Sequence, residues 1–234
     1  MSAASSRPEA IADEMRRRIV TGHYRPGERL PSERELAEQA GVNRGSAREA
    51  MKILAQERLV DVQRGGSRVA PLHRASLDVL GHVLAMPGSP DPVLVGQLLD
   101  VHELLLVGAA RLAVERASEE EVAEALDLLS QLTRRGLAEE DYLRALAGLL
   151  QLIARASQNL VLHMVGNSLQ VILGGVVPLL RRIRPPLATL TPSIEVIRKA
   201  LVRRNPEKAE QGVRALLRVK RESILKQLEQ APPA

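Results

Sequence analysis

The chain has 234 residues, a formal net charge of +5, 45% hydrophobic residues and 1% aromatic ones. It has no cysteine, which excludes disulfides, thiol catalysis and cysteine-based zinc sites together. The length suits two domains, and the opening MSAASSRPEA holds no apolar stretch, so no secretory signal is expected.

The first readable elements lie between Leu30 and Ala70. Behind Pro31, Ser32 and Glu35 have the S-x-x-E spacing of a capping box, which predicts a helix starting at Ser32. Leu36, Ala37 and Ala40 share one face, Gly41 supplies a left-handed stop and Val42 plugs the elbow. Asn43 is a good N-cap for a second helix whose buried stripe is Ala47, Ala50, Met51 and Leu54. Arg44, Gly45, Ser46 and Arg48 then face outward near its start, where a recognition helix meets base edges. Leu59 to Gln63 alternates like a strand, Gly65-Gly66 reads as a hairpin turn and Ser67 to Ala70 returns, with Arg64 and Arg68 flanking the tip. This is the outline of a winged helix-turn-helix. Taken singly, each arginine also reads as a solvated charge or half of an ion pair, such as Arg34 with Glu38 or Arg44 with Glu49.

From Ser76 onward no strand alternation is evident, and the fold class expected is mainly α. Helices are predicted over 76–86, 92–117, 118–135, 139–157, 159–184, 192–204 and 206–230, making a seven-helix antiparallel bundle. Pro87-Gly88-Ser89-Pro90, Gly136, Pro185-Pro186 and Asn205-Pro206 punctuate them, and Ser118 with Glu121 is another capping box. The expected domains are residues 7–72 and 76–230, held close by the short linker Pro71 to Ala75. Ala156 to Leu180 is uncharged, yet Gln158, Asn159 and His163 make it a poor membrane span, so a soluble, cytoplasmic protein is expected. Lys and Arg outnumber Asp and Glu by 13 to 4 over residues 181–226, so the basic excess is not confined to the DNA reader. Arg198, Lys199, Arg203, Arg204, Arg218, Lys220 and Arg221 read best as a solvated face; the alternative is that they meet the acidic stretches around Glu119 and Glu139, or DNA.

The run from Gly22 through Pro26-Gly27, Leu30-Pro31-Ser32-Glu33-Arg34-Glu35-Leu36-Ala37 and Arg44-x-x-x-Arg48 to the glycine wing resembles the GntR family of bacterial repressors. The resemblance implies that Arg34, Arg44 and Arg48 contact DNA from the two helices, with Asn43, Gly45 and Ser46 beside them, while Arg64 and Gly65 enter the minor groove. Glycine at 45 is a departure, since relatives often carry a polar side chain there; it leaves more of the readout to Arg44, Ser46 and Arg48.

The order of winged helix and helical bundle resembles the FadR-type branch of that family, anchored by Ala154-Arg155-Ala156-Ser157-Gln158-Asn159 and Ala109-Ala110-Arg111-Leu112-Ala113. Many members hold a metal through one aspartate and three histidines, and the metal binds a carboxylate effector. The corresponding positions here are Leu146, Leu150, Ile194 and Leu216, so neither metal nor cofactor is expected. Those side chains form either a filled core or an apolar effector cavity, as in the fatty-acyl-responsive members, with His102 where relatives often place a cavity arginine. The expectation is a DNA-binding regulator and not an enzyme: a homodimer on a palindromic operator, released by a small apolar or acyl-type effector. A carboxylate-responsive or metal-dependent sensor and a constitutive repressor are the alternatives.

Overall fold

The computed structural model describes residues 6–84, 91–174 and 185–230, except for the side chains of residues 170, 173 and 174. The chain divides into two compact units, Met1–Met86 and Pro87–Ala234.

Side-chain caps set the helix starts of the first unit. Helix α1 (Arg7–Val20) begins at a capping box in which Ser6 Oγ accepts the Glu9 N–H at 3.4 Å and the Glu9 carboxylate accepts the Ser6 N–H at 2.7 Å. Helix α2 (Glu33–Ala40) starts at the predicted box of Ser32 and Glu35 and stops at Gly41, whose φ of 63° is left-handed. Asn43 caps α3 (Arg44–Gln56) by accepting the Ser46 N–H at 2.9 Å. Strands β1 (Val60–Gln63) and β2 (Gly66–Val69) pair antiparallel, with Val60 opposite Val69 and Gln63 opposite Gly66. The hairpin turn is therefore Arg64-Gly65, one residue earlier than the Gly65-Gly66 expected. Gly66 opens β2 with a φ of 117°, so its left-handed backbone belongs to the strand end.

Ile11, Met15, Leu36, Leu54 and Leu59 build one core, and Val79 of helix α4 (Asp78–Leu84) belongs to it at 1% exposure. The first of the seven predicted bundle helices thus packs on the winged helix, because its apolar side completes that core. Arg16 of α1 is buried and reaches Glu57 at the end of α3 through a bidentate pair of 2.9 and 2.6 Å, while also donating to Asp13. This ties α1 to the base of α3.

In the second unit α5 (Pro92–Arg116), α6 (Glu119–Leu132), α7 (Glu139–Ala156), α8 (Leu160–Gly174), α9 (Leu187–Val202) and α10 (Pro206–Gln230) follow in order. Helix α5 lies along α10 and α7, α10 packs on α9, and α6 packs on α7. Leu129, Leu152, Ile194, Ala200 and Val213 sit in their shared core. Helix α5 is long and apolar enough by composition to cross a membrane, with a mean hydropathy of 1.6, and one side of it forms the bundle core. Arg111 on α5 pairs with Glu207 at 3.2 Å and Glu210 at 3.3 Å on α10. At the turn from α7 to α8, Arg116 donates to the Ser157 carbonyl at 2.7 Å and Asn159 Oδ1 accepts the Leu162 N–H at 3.1 Å.

Helix α9 starts behind Pro185-Pro186 and continues through Pro192, where the sequence suggested a start. A proline here removes one backbone donor. Leu190, Ile194 and Ile197 are buried on the same helix, and that packing holds the turn. The predicted break at residues 87–90 and the end of the helix predicted over 159–184 lie outside the described residues.

Candidate nucleic-acid interface and bundle cavity

The N-terminus of α3 concentrates positive charge. Its first backbone N–H groups and the helix dipole favour an anion there. Arg44 is exposed and, among the described residues, has no carboxylate within 4.0 Å; Glu49 pairs instead with Lys52 at 2.9 Å. Arg48 is exposed and touches Glu33 at 3.2 Å, and Arg34 lies 3.8 Å from Glu38. Exposed pairs of this kind are worth about 0–1 kcal/mol, so a phosphate can replace the carboxylate at little cost. Ser46 is half-buried, with its hydroxyl 3.3 Å from Asn43 Oδ1. Asn43 thus spends its oxygen on the cap. A Cβ at Gly45 would stand 3.1 Å from that same oxygen, so the glycine leaves the cap uncrowded.

The wing carries Arg64 and Gly65, both exposed, at its tip. Arg68 does not serve as a second free cation, since it donates to the Gly27 carbonyl at 2.9 Å and fastens the wing to the chain before it. Arg29 is the residue that sequence reading missed. It bridges to Arg68, and its guanidinium lies against Gly66, where a Cβ would meet Nε at 3.1 Å. The signal was present in Glu28-Arg29-Leu30 behind the Pro26-Gly27 turn, a short extended run that adds an edge to β2: Leu30 N–H donates to the Ser67 carbonyl at 2.9 Å.

In the second unit a cavity of about 450 Å³ lies between α5, α7, α9 and α10. His102, Leu146, Leu150 and Leu216 line it, whereas Ile194 is 2% exposed in the adjoining core. Four aliphatic side chains offer a metal no donor, and among the described residues no three His, Asp or Glu side chains cluster as a metal site. The donor chemistry at those positions does not fit a metal. The polar lining is instead His102 and Glu103 of α5, Tyr142 of α7, and Lys220 and Arg221 of α10. Lys220 and Arg221, grouped with a solvated face in the sequence reading, are half-buried and line the cavity, while Arg221 also reaches Asp100 at its rim. Of their predicted companions, Arg204 meets Glu119 at 2.7 Å and Arg218 pairs with Glu222 at 3.1 Å.

Burial pulls the Lys220 ammonium down to a pKa of about 8, and burial followed by the charge of Lys220 holds His102 below the usual imidazole value. A second, smaller space of about 100 Å³ adjoins at His102 and reaches His163 and Leu169 of α8. A groove of about 540 Å³ between α9 and α10, beside Lys199, Arg203 and Lys208, is the more open of these spaces.

Residues 8–69 match the family described as bacterial regulatory proteins, gntR family, and residues 97–219, just over half of the chain, match the FCD domain. The chain belongs to the GntR family. Among its relatives, the transcriptional regulator Mce2R of Mycobacterium tuberculosis is 39% identical over 136 residues, 57% of this chain and 55% of that one. The galactonate operon transcriptional repressor of Escherichia coli is 32% identical over 131 residues, covering 54% of this chain and 56% of that one. The fatty acid metabolism regulator protein of Pasteurella multocida is 28% identical over 166 residues, 70% and 67% of the two chains. The match thus spans little more than half of the first two of these relatives. The solved structure of Lar, which controls the expression of the Listeria monocytogenes agr system, aligns over 96% of this chain and 99% of that one. Its TM-score is 0.55 at 16% identity, which shows a shared fold.

In this GntR-family chain the family match ends at residue 69, before α4, and the FCD match holds His102, Leu146, Leu150, Ile194 and Leu216 within its span. The named families and relatives are transcriptional regulators, not enzymes.

Proposed function

We propose that the protein is a transcriptional repressor that binds a palindromic operator as a homodimer and leaves it when an apolar or acyl-type effector fills the bundle cavity. The observation that carries the DNA half is the N-terminus of α3, where Arg44 and Arg48 stand exposed, in a unit whose wing also exposes Arg64 and holds Arg29 against Gly66. Arginine can grip guanine O6 and N7 in a bidentate fork or clamp a phosphate. Asn43 and Ser46 hold the helix start, and Arg34 adds a contact from α2. One recognition helix reads only a few base pairs, so two copies about one helical turn apart supply the affinity. Exposed Leu104 on α5 and Leu160, Val161 and Met164 on α8 supply apolar surface suited to such pairing.

The effector half rests on the cavity's aliphatic walls and the absence of donors at Leu146, Leu150, Ile194 and Leu216. An effector that favours the released state about 100-fold supplies roughly 2.7 kcal/mol of coupling per site. The test of the DNA half uses a duplex selected by the wild-type protein from a random library. Arg48→Ala lowers affinity for that duplex by about 1–3 kcal/mol at fixed salt. Unchanged affinity removes Arg48 from the reader.

A further inference from the structure

Lys220 is a half-buried lysine on the wall of a mostly aliphatic cavity. Among the described residues no carboxylate lies within 4.0 Å of its ammonium, which stands 5.8 Å from the centroid of the Tyr142 ring. Val213, Leu217 and Ile224 precede and follow it on the same face of α10 at helical spacing, and all three line the cavity with it. A charge kept in such a place without a partner is costly to the fold, and apolar replacement would relieve it. An anion placed beside it would relieve the same cost.

The surrounding groups narrow the ligand's chemistry. From α5, Glu103 is held by Arg214 at 3.0 Å, and His102 has its protonated form disfavoured by burial and by Lys220 itself. From α10, Arg221 is paired with Asp100 at 3.1 Å, yet its Nε is buried with no hydrogen-bond partner. From α7 comes the Tyr142 ring, and from α9 only aliphatic Ile197 and Leu201. Three nitrogen-bearing side chains thus converge on the cavity, and its one carboxylate among the described lining residues is already engaged.

We infer that Lys220, with His102 and Arg221 beside it, holds the compact anionic head of an aliphatic monocarboxylate whose chain occupies the space walled by Leu146, Leu150 and Leu216. This deepens the apolar-effector reading and rests on it. The protein grips the carboxylate with a lysine where metal-holding relatives use an ion. Binding draws a proton onto Lys220, so affinity is greatest below pH 8 and falls by up to tenfold per unit above it.

Calorimetric titration of the full chain with dodecanoate and with dodecanol tests this at pH 7 and pH 9.5. Dodecanoate is expected to bind more tightly than dodecanol at pH 7 and to lose that advantage at pH 9.5. Lys220→Met is expected to weaken dodecanoate at least tenfold while leaving dodecanol unchanged; dodecanol binding by the variant shows that its cavity is intact. Equal binding of dodecanoate by wild type and Lys220→Met overturns the anchor and leaves the apolar cavity standing. Binding of neither ligand by the wild type overturns both readings.

Discussion

The first unit buries an arginine and the second sets a half-buried lysine on its cavity wall, and the two cations are treated in opposite ways. Arg16 in the first unit is 3% exposed and well paired, with its Nε and Nη2 on the Glu57 carboxylate and its Nη1 on Asp13. Lys220 in the second unit lines a mostly aliphatic cavity with the Tyr142 ring below it and His102 and Arg221 also on the wall, and among the described residues no carboxylate lies within 4.0 Å of it. A saturated buried charge fixes a geometry, here the angle between α1 and the foot of α3. An unsaturated one leaves an unmet demand in the fold and keeps a place for a ligand. The same residue class thus serves architecture in one unit and reception in the other, and the difference lies in the partners supplied.

The largest expected effect tests the saturated side. Glu57→Ala leaves Arg16 in the core with Asp13 alone, and breaking a buried pair from one side costs about 3–5 kcal/mol. Circular dichroism in urea reads the loss, and amide exchange between Ile11 and Ile19 assigns it to the first unit. Arg16→Met combined with Glu57→Met is expected to recover most of it, since apolar residues of similar size replace such pairs with little penalty. A loss below about 1 kcal/mol for Glu57→Ala would mean that Arg16 is served well enough by Asp13.

The unsaturated side predicts the opposite sign. Lys220→Met removes a charge that the cavity does not compensate, so the ligand-free protein gains about 1–3 kcal/mol at pH 7. The folded-state pKa of about 8 lies below the ordinary 10.5, so between those values the unfolded chain binds more protons than the folded one. Stability of the wild type therefore rises with pH across that window, and the advantage of Lys220→Met shrinks as the lysine neutralises. Thermal unfolding of both proteins at pH 7, 9 and 10.5 measures the difference. An advantage that stays constant with pH would place the gain in packing and not in charge.

The contrast also explains what could be read in the sequence. Ser32, Glu35, Gly41 and Asn43 act within a few residues of themselves, and their caps and turn stand where spacing put them. The same kind of signal at Ser6 and Glu9 opens α1, a helix that the sequence reading did not use. The wing shifted by one residue because Gly65 and Gly66 both suit a turn, and only the pairing of Gln63 with Gly66 decides between them. Pro192 looked like a start because proline favours first turns, whereas burial of Leu190 and Ile194 carries α9 across it. Lys220 was grouped with its basic neighbours by composition. Its place on the stripe of Val213, Leu217 and Ile224 was legible, but the absence of a partner depends on α5 and α7 and is not.

The smallest expected effect separates an available cation at the surface from one held in the core. Arg48 is kept near Glu33 at 3.2 Å, with both side chains well exposed, so the pair is worth at most about 1 kcal/mol to the fold. Glu33→Gln should leave the melting curve almost unmoved. It frees Arg48 from a competitor and removes a negative charge from the face that meets phosphate, so affinity for the selected duplex should rise about twofold to fivefold at low salt. The gain should fade as salt rises, because exposed charges are screened over about 10 Å at 0.1 M. Weaker DNA binding by Glu33→Gln would show that the carboxylate orients Arg48 for the groove. Arg48 would then resemble Arg16, a cation set by its partner.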